Sequence, residues 1–202
     1  KALSDTLKDA MRFGMELIFV SREQYRFKDE IINNYSGNDV YWINEGGYGT
    51  MGAKGAGEII NLARYKDYTH IIAAVGTGTM LAGLISSVSK EQQVIGISSM
   101  KGNSSLEQEI RHISPKNATN FTLFHDYHFG GYGKHPQQLI DYINLVYENN
   151  RLPLDIVYTG KTFYAIEDLV KKDYFPAESK LLMIHSGGLQ GNKSLPPEVL
   201  AF

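Results

Sequence analysis

Apolar residues along the chain change their spacing several times, and each change marks an element. Leu7, Ala10 and Met11 recur at helical spacing behind Ser4, whose hydroxyl suits an N-cap, and Gly14 stands where a left-handed residue would stop the helix. Met15-Glu16-Leu17-Ile18-Phe19-Val20 reads as a buried strand, and the polar run from Arg22 to about Tyr35 as a helix. Ser36-Gly37-Asn38-Asp39 is a turn signal. Val40 to Ile43 predicts a short strand, followed by the glycine-rich loop Glu45-Gly46-Gly47-Tyr48-Gly49.

Beyond that loop the pattern becomes regular. A helix is predicted over roughly 52–66, a strand over His70 to Val75, a tight loop at Gly76-Thr77-Gly78-Thr79 and a helix from Met80 to Val88. Val94 to Ser98 reads as a strand and Ser104 to Ile113 as a helix, while 114–135 is irregular and rich in aromatics and histidine. Pro136 can open a helix at its first position, running to about Asn149. Thr159 or Gly160 opens a helix through Val170, and Leu181 to His185 is a last strand ending in Ser186-Gly187-Gly188. Recurring strand–loop–helix units imply an α/β fold with a mainly parallel sheet covered on both faces. Sites in such sheets sit at the carboxyl ends of strands, which selects the loops beginning at Gly76 and Ser186.

Composition narrows the class. With 202 residues the chain is long enough for one or two domains. A net charge of -2 argues against a nucleic-acid partner, and no apolar run is long enough to span a membrane. Cysteine is absent from the sequence, which removes disulfides, thiolate metal sites and cysteine nucleophiles and fits a reducing cytoplasm. Lys1-Ala2-Leu3 runs into a capped helix with no initiator Met, so a start upstream is expected.

The stretch Gly76-Thr77-Gly78-Thr79 carries the strongest chemical signal. Glycines admit a ligand close to the backbone, the helix start offers N–H groups and the threonines offer hydroxyls, a combination suited to phosphate. The dinucleotide fingerprint fails, because Leu81 stands where its third glycine belongs and no acidic residue follows about twenty positions on. The P-loop pattern is absent as well. A phosphate cradle and a plain strand–helix turn both remain open on this pattern. Gly160-Lys161-Thr162 ends like a P-loop, but Asp155 occupies the position of its first glycine, and Gly191-Asn192-Lys193-Ser194 lacks that glycine too. His125 and His128 have no third ligand at a useful spacing, so no metal site is predicted. His185, ending an apolar strand, reads as a satisfied buried histidine. Of the tyrosines, Tyr127 reads as packing, Tyr132 lies among glycines in Phe129-Gly130-Gly131-Tyr132-Gly133, and Tyr158 precedes a helix start.

In chain order, Glu45-Gly46-Gly47, Gly76-Thr77-Gly78-Thr79 with Ala82-Gly83-Leu84, Gly131-Tyr132-Gly133, Leu154-Asp155-Ile156-Val157-Tyr158-Thr159-Gly160-Lys161 and His185-Ser186-Gly187-Gly188 resemble one family. It is the D-cysteine desulfhydrase / 1-aminocyclopropane-1-carboxylate (ACC) deaminase family of pyridoxal-phosphate (PLP) enzymes, of the tryptophan-synthase-β type, fold type II. The resemblance implies PLP as cofactor, a small amino acid as substrate and a cytoplasmic homodimer. It places the PLP phosphate on Thr77, Gly78 and Thr79, with Met80 offering an amide where relatives often have Thr. It assigns the two active-site tyrosines to Tyr132 and Tyr158. ACC deaminases of the family carry Glu after the second tyrosine and Leu after the strand-terminal His. Thr159 and Ser186 stand there instead, as in desulfhydrase-like members, and are assigned to the cofactor. A carboxylate beside the pyridine nitrogen makes PLP a stronger electron sink than a hydroxyl does. The resemblance therefore favours α,β-elimination, D-cysteine being the leading substrate, over opening of the ACC ring.

The family's Schiff-base lysine lies in an N-terminal Ser-Gly-Asn-Lys motif, followed by a Ser-Asn loop, and both are expected before residue 1. Residues 1–40 then finish a smaller domain and 41–202 form most of the larger, PLP-binding one. Gly191-Asn192-Lys193 mimics the motif in the wrong place, and Lys161 and Lys54 belong to other motifs. Alone, the chain is expected to hold no cofactor covalently and to expose core. The alternatives are a non-catalytic relative that binds a phosphate-bearing ligand and an unrelated nucleotide-binding α/β protein.

Overall fold

His70-Ile71-Ile72-Ala73-Ala74-Val75 is apolar on both faces, as a strand inside a covered parallel sheet must be. It forms β1 (His70–Val75) of a four-stranded sheet with β2 (Gln93–Ser98), β3 (Phe121–Phe124) and β4 (Leu181–Ile184), in the order β3-β2-β1-β4. Every pairing is parallel, with Val75 opposite Ser98, Ile97 opposite Phe124 and Ala73 opposite Ile184. The computed structural model describes residues 3–35, 40–114 and 120–202. Contacts divide the chain into two units, residues 1–44 and 45–202.

The second unit holds the sheet and its helices: α4 (Thr50–Gly57), α5 (Thr79–Ser87), α6 (Leu106–Ile113), α7 (Gln137–Asn150) and α8 (Thr159–Lys171). Strand alternation sorts its core into two layers. Ile71, Ala73, Val75 and Val94 pack with Leu81 and Leu84 of α5 and Ile110 of α6. Ile72, Ile95 and Ile97 face the other way, onto Ala165 of α8. The architecture is the parallel α/β fold that the sequence predicts, with helices on both faces. α4 and α5 touch backbone to backbone: a Cβ on Gly83 would lie 2.3 Å from the Ala53 carbonyl oxygen. Behind α8, Leu139, Ile143 and Val146 of α7 bury against Leu154 and Ile156, the segment that leads into the α8 start.

The first unit contains α1 (Asp5–Arg12), α2 (Arg22–Arg26) and α3 (Lys28–Tyr35). Ser4 caps α1, accepting from the Leu7 N–H at 3.4 Å, and Gly14 follows at φ +83°. Met15 to Val20 is not a strand, and neither is Val40 to Ile43. A strand is held by ladder bonds to a partner, and none pairs with these segments among the described residues; Phe19 is 71% exposed. The helix expected over 22–35 breaks at Phe27, and its start is a capping box between Ser21 and Gln24. The predicted turn at 36–39 lies outside the described residues.

Three boundaries in the second unit differ from expectation. The helix predicted over 52–66 starts at Thr50 and gives way after Gly57 to short 3-10 turns, because its glycines support close packing better than helix propagation. β3 lies inside the stretch read as irregular. Pro136 is the N-cap of α7, one residue before the position expected for it.

Candidate active site

β1, β2 and β3 run outward in sequence, and then the chain returns to place β4 on the other side of β1. Ligands of open parallel sheets bind outside the carboxyl ends of strands at such a reversal of order. The loops leaving β1 and β4 meet there, around a cleft of about 250 Å³ whose lining includes Gly46, Thr77, Gly78, Thr79, Tyr158 and Ser186. Two larger grooves, of about 350 and 550 Å³, lie elsewhere, one along residues 189–202 and one beside Phe124, Tyr127 and Tyr164. Neither contains either of the two loops in full, so size does not select the site.

The β1–α5 loop is shaped as an anion cradle. Gly78 sits at φ +86°, and a Cβ there would lie 2.5 Å from Ile110 Cγ1, so both backbone and space demand glycine. α5 begins at the next residue, and its first-turn N–H groups have no partner within the helix. Thr77 and Thr79 add hydroxyls, their Oγ1 atoms 2.9 Å apart. Met80 lines the cleft and also packs, partly buried, against the core. The Glu45-Gly46-Gly47 turn lies directly on this loop: a Cβ on Gly46 would be 2.6 Å from Thr77 Oγ1.

The opposite wall carries the tyrosines. A Cβ on Gly76 would stand 3.2 Å from the Tyr158 hydroxyl, so this phenol hangs over the cradle. Tyr132 meets it edge to face, with ring centroids 5.9 Å apart. Burial first, then the neighbouring Tyr132 hydroxyl and the charges of Asp155 and Glu45, push the Tyr158 phenol far above its ordinary range and keep it protonated.

Tyr158 is held by Asp155, a buried carboxylate just before α8. Oδ1 accepts from the N–H groups of Val157 at 2.8 Å and Tyr158 at 2.7 Å. Oδ2 accepts from the Thr159 N–H at 2.8 Å and from its hydroxyl at 2.5 Å. Thr159 therefore spends its hydroxyl on Asp155 and does not line the cleft, unlike the other cofactor-assigned residues. Asn192 closes the same corner, donating to the Leu154 carbonyl at 3.1 Å and accepting from the Ile156 N–H at 3.1 Å. Asp155 was legible only as the residue that breaks a P-loop pattern and as part of the Leu154–Lys161 motif, and Asn192 only as part of a false lysine motif.

Other candidates separate from the cleft. His185 is exposed rather than buried; its Nε2 lies 2.9 Å from the Pro153 carbonyl oxygen. Tyr127 donates to Asp168 Oδ2 at 2.7 Å, beside the larger groove. No cluster of three or more metal-ligating side chains occurs among the described residues, His125 and His128 included.

The family model described as "Pyridoxal-phosphate dependent enzyme" matches residues 2–187. The chain belongs to this family. A relative in Pyrococcus furiosus named "Putative 1-aminocyclopropane-1-carboxylate deaminase" is 30% identical, over 90% of the chain and 60% of the relative. The "1-aminocyclopropane-1-carboxylate deaminase" of Methylobacterium nodulans is 29% identical over 70% of the chain and 47% of its own length. A crystal structure of an ACC deaminase homologue superimposes with a TM-score of 0.76 at 28% identity, over 95% of this chain and 64% of that one. The chain thus spans about half to two thirds of the length of these proteins.

The residues present fit PLP. Its phosphate needs a concave run of donors at a helix start, which Thr77 to Met80 supply, and glycine at 76 keeps the space beneath the Tyr158 hydroxyl free of a side chain. Ser186, at the end of β4, offers a hydroxyl on the same cleft.

Proposed function

We propose that the chain forms the phosphate-binding, tyrosine-bearing part of a PLP-dependent enzyme that deaminates a small amino acid by α,β-elimination, with D-cysteine as the leading substrate. Bound PLP would supply an electron sink for charge developing at the substrate's α-carbon. The α5 start with Thr77 and Thr79 would bind its phosphate. Tyr158, protonated and fixed through Asp155, would hold a proton at its hydroxyl for the departing thiolate, with Tyr132 beside it. Ser186 would meet the cofactor ring with a neutral hydroxyl. By the same resemblance, residues 1–40 would complete a smaller domain, and the whole protein would be a cytoplasmic homodimer.

The observation that carries the reading is the neutral cleft lining. Its residues include no carboxylate, and Thr159 stands where the resemblance gives ACC deaminases a Glu. A weaker electron sink suits expulsion of a thiolate better than opening of a cyclopropane. The names of the relatives favour the second reading, ACC deamination to 2-oxobutanoate and ammonia.

The test is to load the full-length protein with PLP and offer D-cysteine, L-cysteine and ACC in parallel. Pyruvate, sulfide and ammonia from D-cysteine, with no 2-oxobutanoate from ACC, are expected. Turnover of ACC at an equal or greater kcat/KM would put the second reading in its place, and no product from any of the three would remove both.

A further inference from the structure

Lys161 is the largest side chain among the fully buried ones, at 0% exposure. Its Nζ donates to two carbonyls, those of His128 and Gly131, both at 2.9 Å. It is not part of the cleft lining, so it does not reach the cradle. Burial pulls its pKa down to about 8, against the opposing pull of Asp155. Burying an ammonium is costly, and an apolar side chain of similar volume in such a place is often neutral or stabilising. What the charge does there is therefore the question.

The answer lies in what its acceptors belong to. Between His128 and Gly133 four residues have positive φ, Phe129 at +52°, Gly130 at +96°, Gly131 at +126° and Gly133 at +69°. That course turns two carbonyls toward one point. Each carbonyl also accepts a backbone N–H, from Gly131 at 3.0 Å and from Lys134 at 3.1 Å, so the loop closes on itself without the lysine. The lysine adds attachment of the loop to α8. Tyr132 follows Gly131 directly, and Tyr158 immediately precedes α8. One side chain thus ties together the two segments that carry the tyrosine pair.

We propose that Lys161 is a positioning residue, which holds the Tyr132 phenol against Tyr158 by tying the carbonyls of His128 and Gly131 to α8. The catalytic use of the pair rests on the function proposed above, whereas the position of Tyr132 does not. The test separates the two.

In the full-length protein, 3-fluorotyrosine is placed at position 132 and its fluorine resonance is followed at pH 7 with and without Lys161→Met, a change that keeps the volume and removes the donors. The resonance should shift toward that of free 3-fluorotyrosine while the melting temperature stays within a few degrees of wild type. In the unlabelled PLP-loaded enzyme the same variant should lower kcat roughly tenfold or more, with KM and the PLP Kd changed less than about threefold. In a Tyr132→Phe background it should cost nothing further. The chain has no cysteine. Lys161→Cys, in a full-length protein with any cysteine outside these residues replaced by serine, aminoethylated while unfolded and then refolded, restores an ammonium at the same reach and should restore both signals. Lys161→Gln, too short to span both carbonyls, replaces the Met variant if that does not fold. An unmoved resonance in a folded variant, additive losses with Tyr132→Phe, or failure of both variants to fold would overturn the proposal, the last by making the lysine a requirement of the fold. Absence of turnover in the wild type would sink the function and leave the fluorine result to decide this proposal.

Discussion

Asp155 and Thr159 bind each other three times: the threonine hydroxyl donates to Oδ2 at 2.5 Å and accepts from the Asp155 N–H at 2.7 Å, and the Thr159 N–H donates to Oδ2 at 2.8 Å. The pair closes the start of α8, where helix N–H groups would otherwise be buried without partners. It also decides which way Thr159 faces. A hydroxyl used by a buried carboxylate is not offered to the cleft, so Thr159 gives the cleft neither a hydroxyl nor a carboxylate.

Asp155→Ala strands the N–H groups of Val157, Tyr158 and Thr159 in a buried corner. The expected loss is about 2–4 kcal/mol, since each unsatisfied buried donor costs on the order of 1–3 kcal/mol and the corner relaxes in part. Asp155→Asn keeps one acceptor and should lose less. Urea unfolding at constant m-value measures both. Equal midpoints for wild type and Asp155→Ala would show that water replaces the carboxylate.

Gly78→Ala meets two obstacles, a left-handed backbone and Ile110 Cγ1 at 2.5 Å from the new Cβ. Stability should fall by about 1–3 kcal/mol. PLP affinity should fall at least about tenfold, because the cradle's N–H groups move with the residue. Thr79→Ala, which leaves the backbone in place, should weaken PLP less. Titration of PLP by absorbance checks the order of the two variants, and a weaker PLP complex with Thr79→Ala would place the binding in the hydroxyls instead.

The central part of the fold was legible because each of its elements carries its own local signal. β1 is apolar on both faces, Gly78 and Thr79 mark the loop and the helix start, and Leu81 and Leu84 give α5 its buried side. Met15 to Val20 misled because an apolar run states that burial is wanted, not what provides it; no ladder partner is present among the described residues. β3 was missed because Phe121 to Phe124 is short and merges with aromatic loop residues. In the site, the glycine loop and Tyr158 announced themselves by spacing. The role of Lys161 arises from contacts with residues 30 and 33 positions away, which no periodicity records, whereas the Asp155 carboxylate bonds residues only two to four positions on and was passed over as a failed P-loop position.

Acid should weaken the sheet through His70. The imidazole starts β1, packs edge-on against Phe175 at 5.2 Å and has Nδ1 2.8 Å from Thr69 Oγ1. Burial lowers its pKa from the ordinary 6.5. With a folded pKa below the unfolded one, the unfolded chain binds the proton more readily, so the contribution is intact above pH 6.5 and is lost as pH falls through the folded value. Urea unfolding between about pH 7.5 and 5 should show wild type losing more stability than His70→Gln. Parallel losses would mean the imidazole titrates alike in both states.

Tyr158→Phe removes a hydroxyl and leaves the ring that packs beside Tyr132. Its phenol is held protonated at neutral pH and lies at the mouth of the cradle, so it can donate a proton or orient a leaving group without first taking one up. In the PLP-loaded full-length enzyme kcat should fall about 10²-fold, the lower end of what a positioned acid contributes. The PLP Kd should stay within about threefold of wild type, because the cradle is made by the α5 start on the other wall. Tyr132→Phe should cost less than Tyr158→Phe, since Tyr132 is 60% exposed and touches the cleft through its neighbour. Steady-state kinetics of the two variants with the preferred substrate decide this. If Tyr132→Phe proves the more damaging, the proton belongs to Tyr132 and Tyr158 serves to hold it in place.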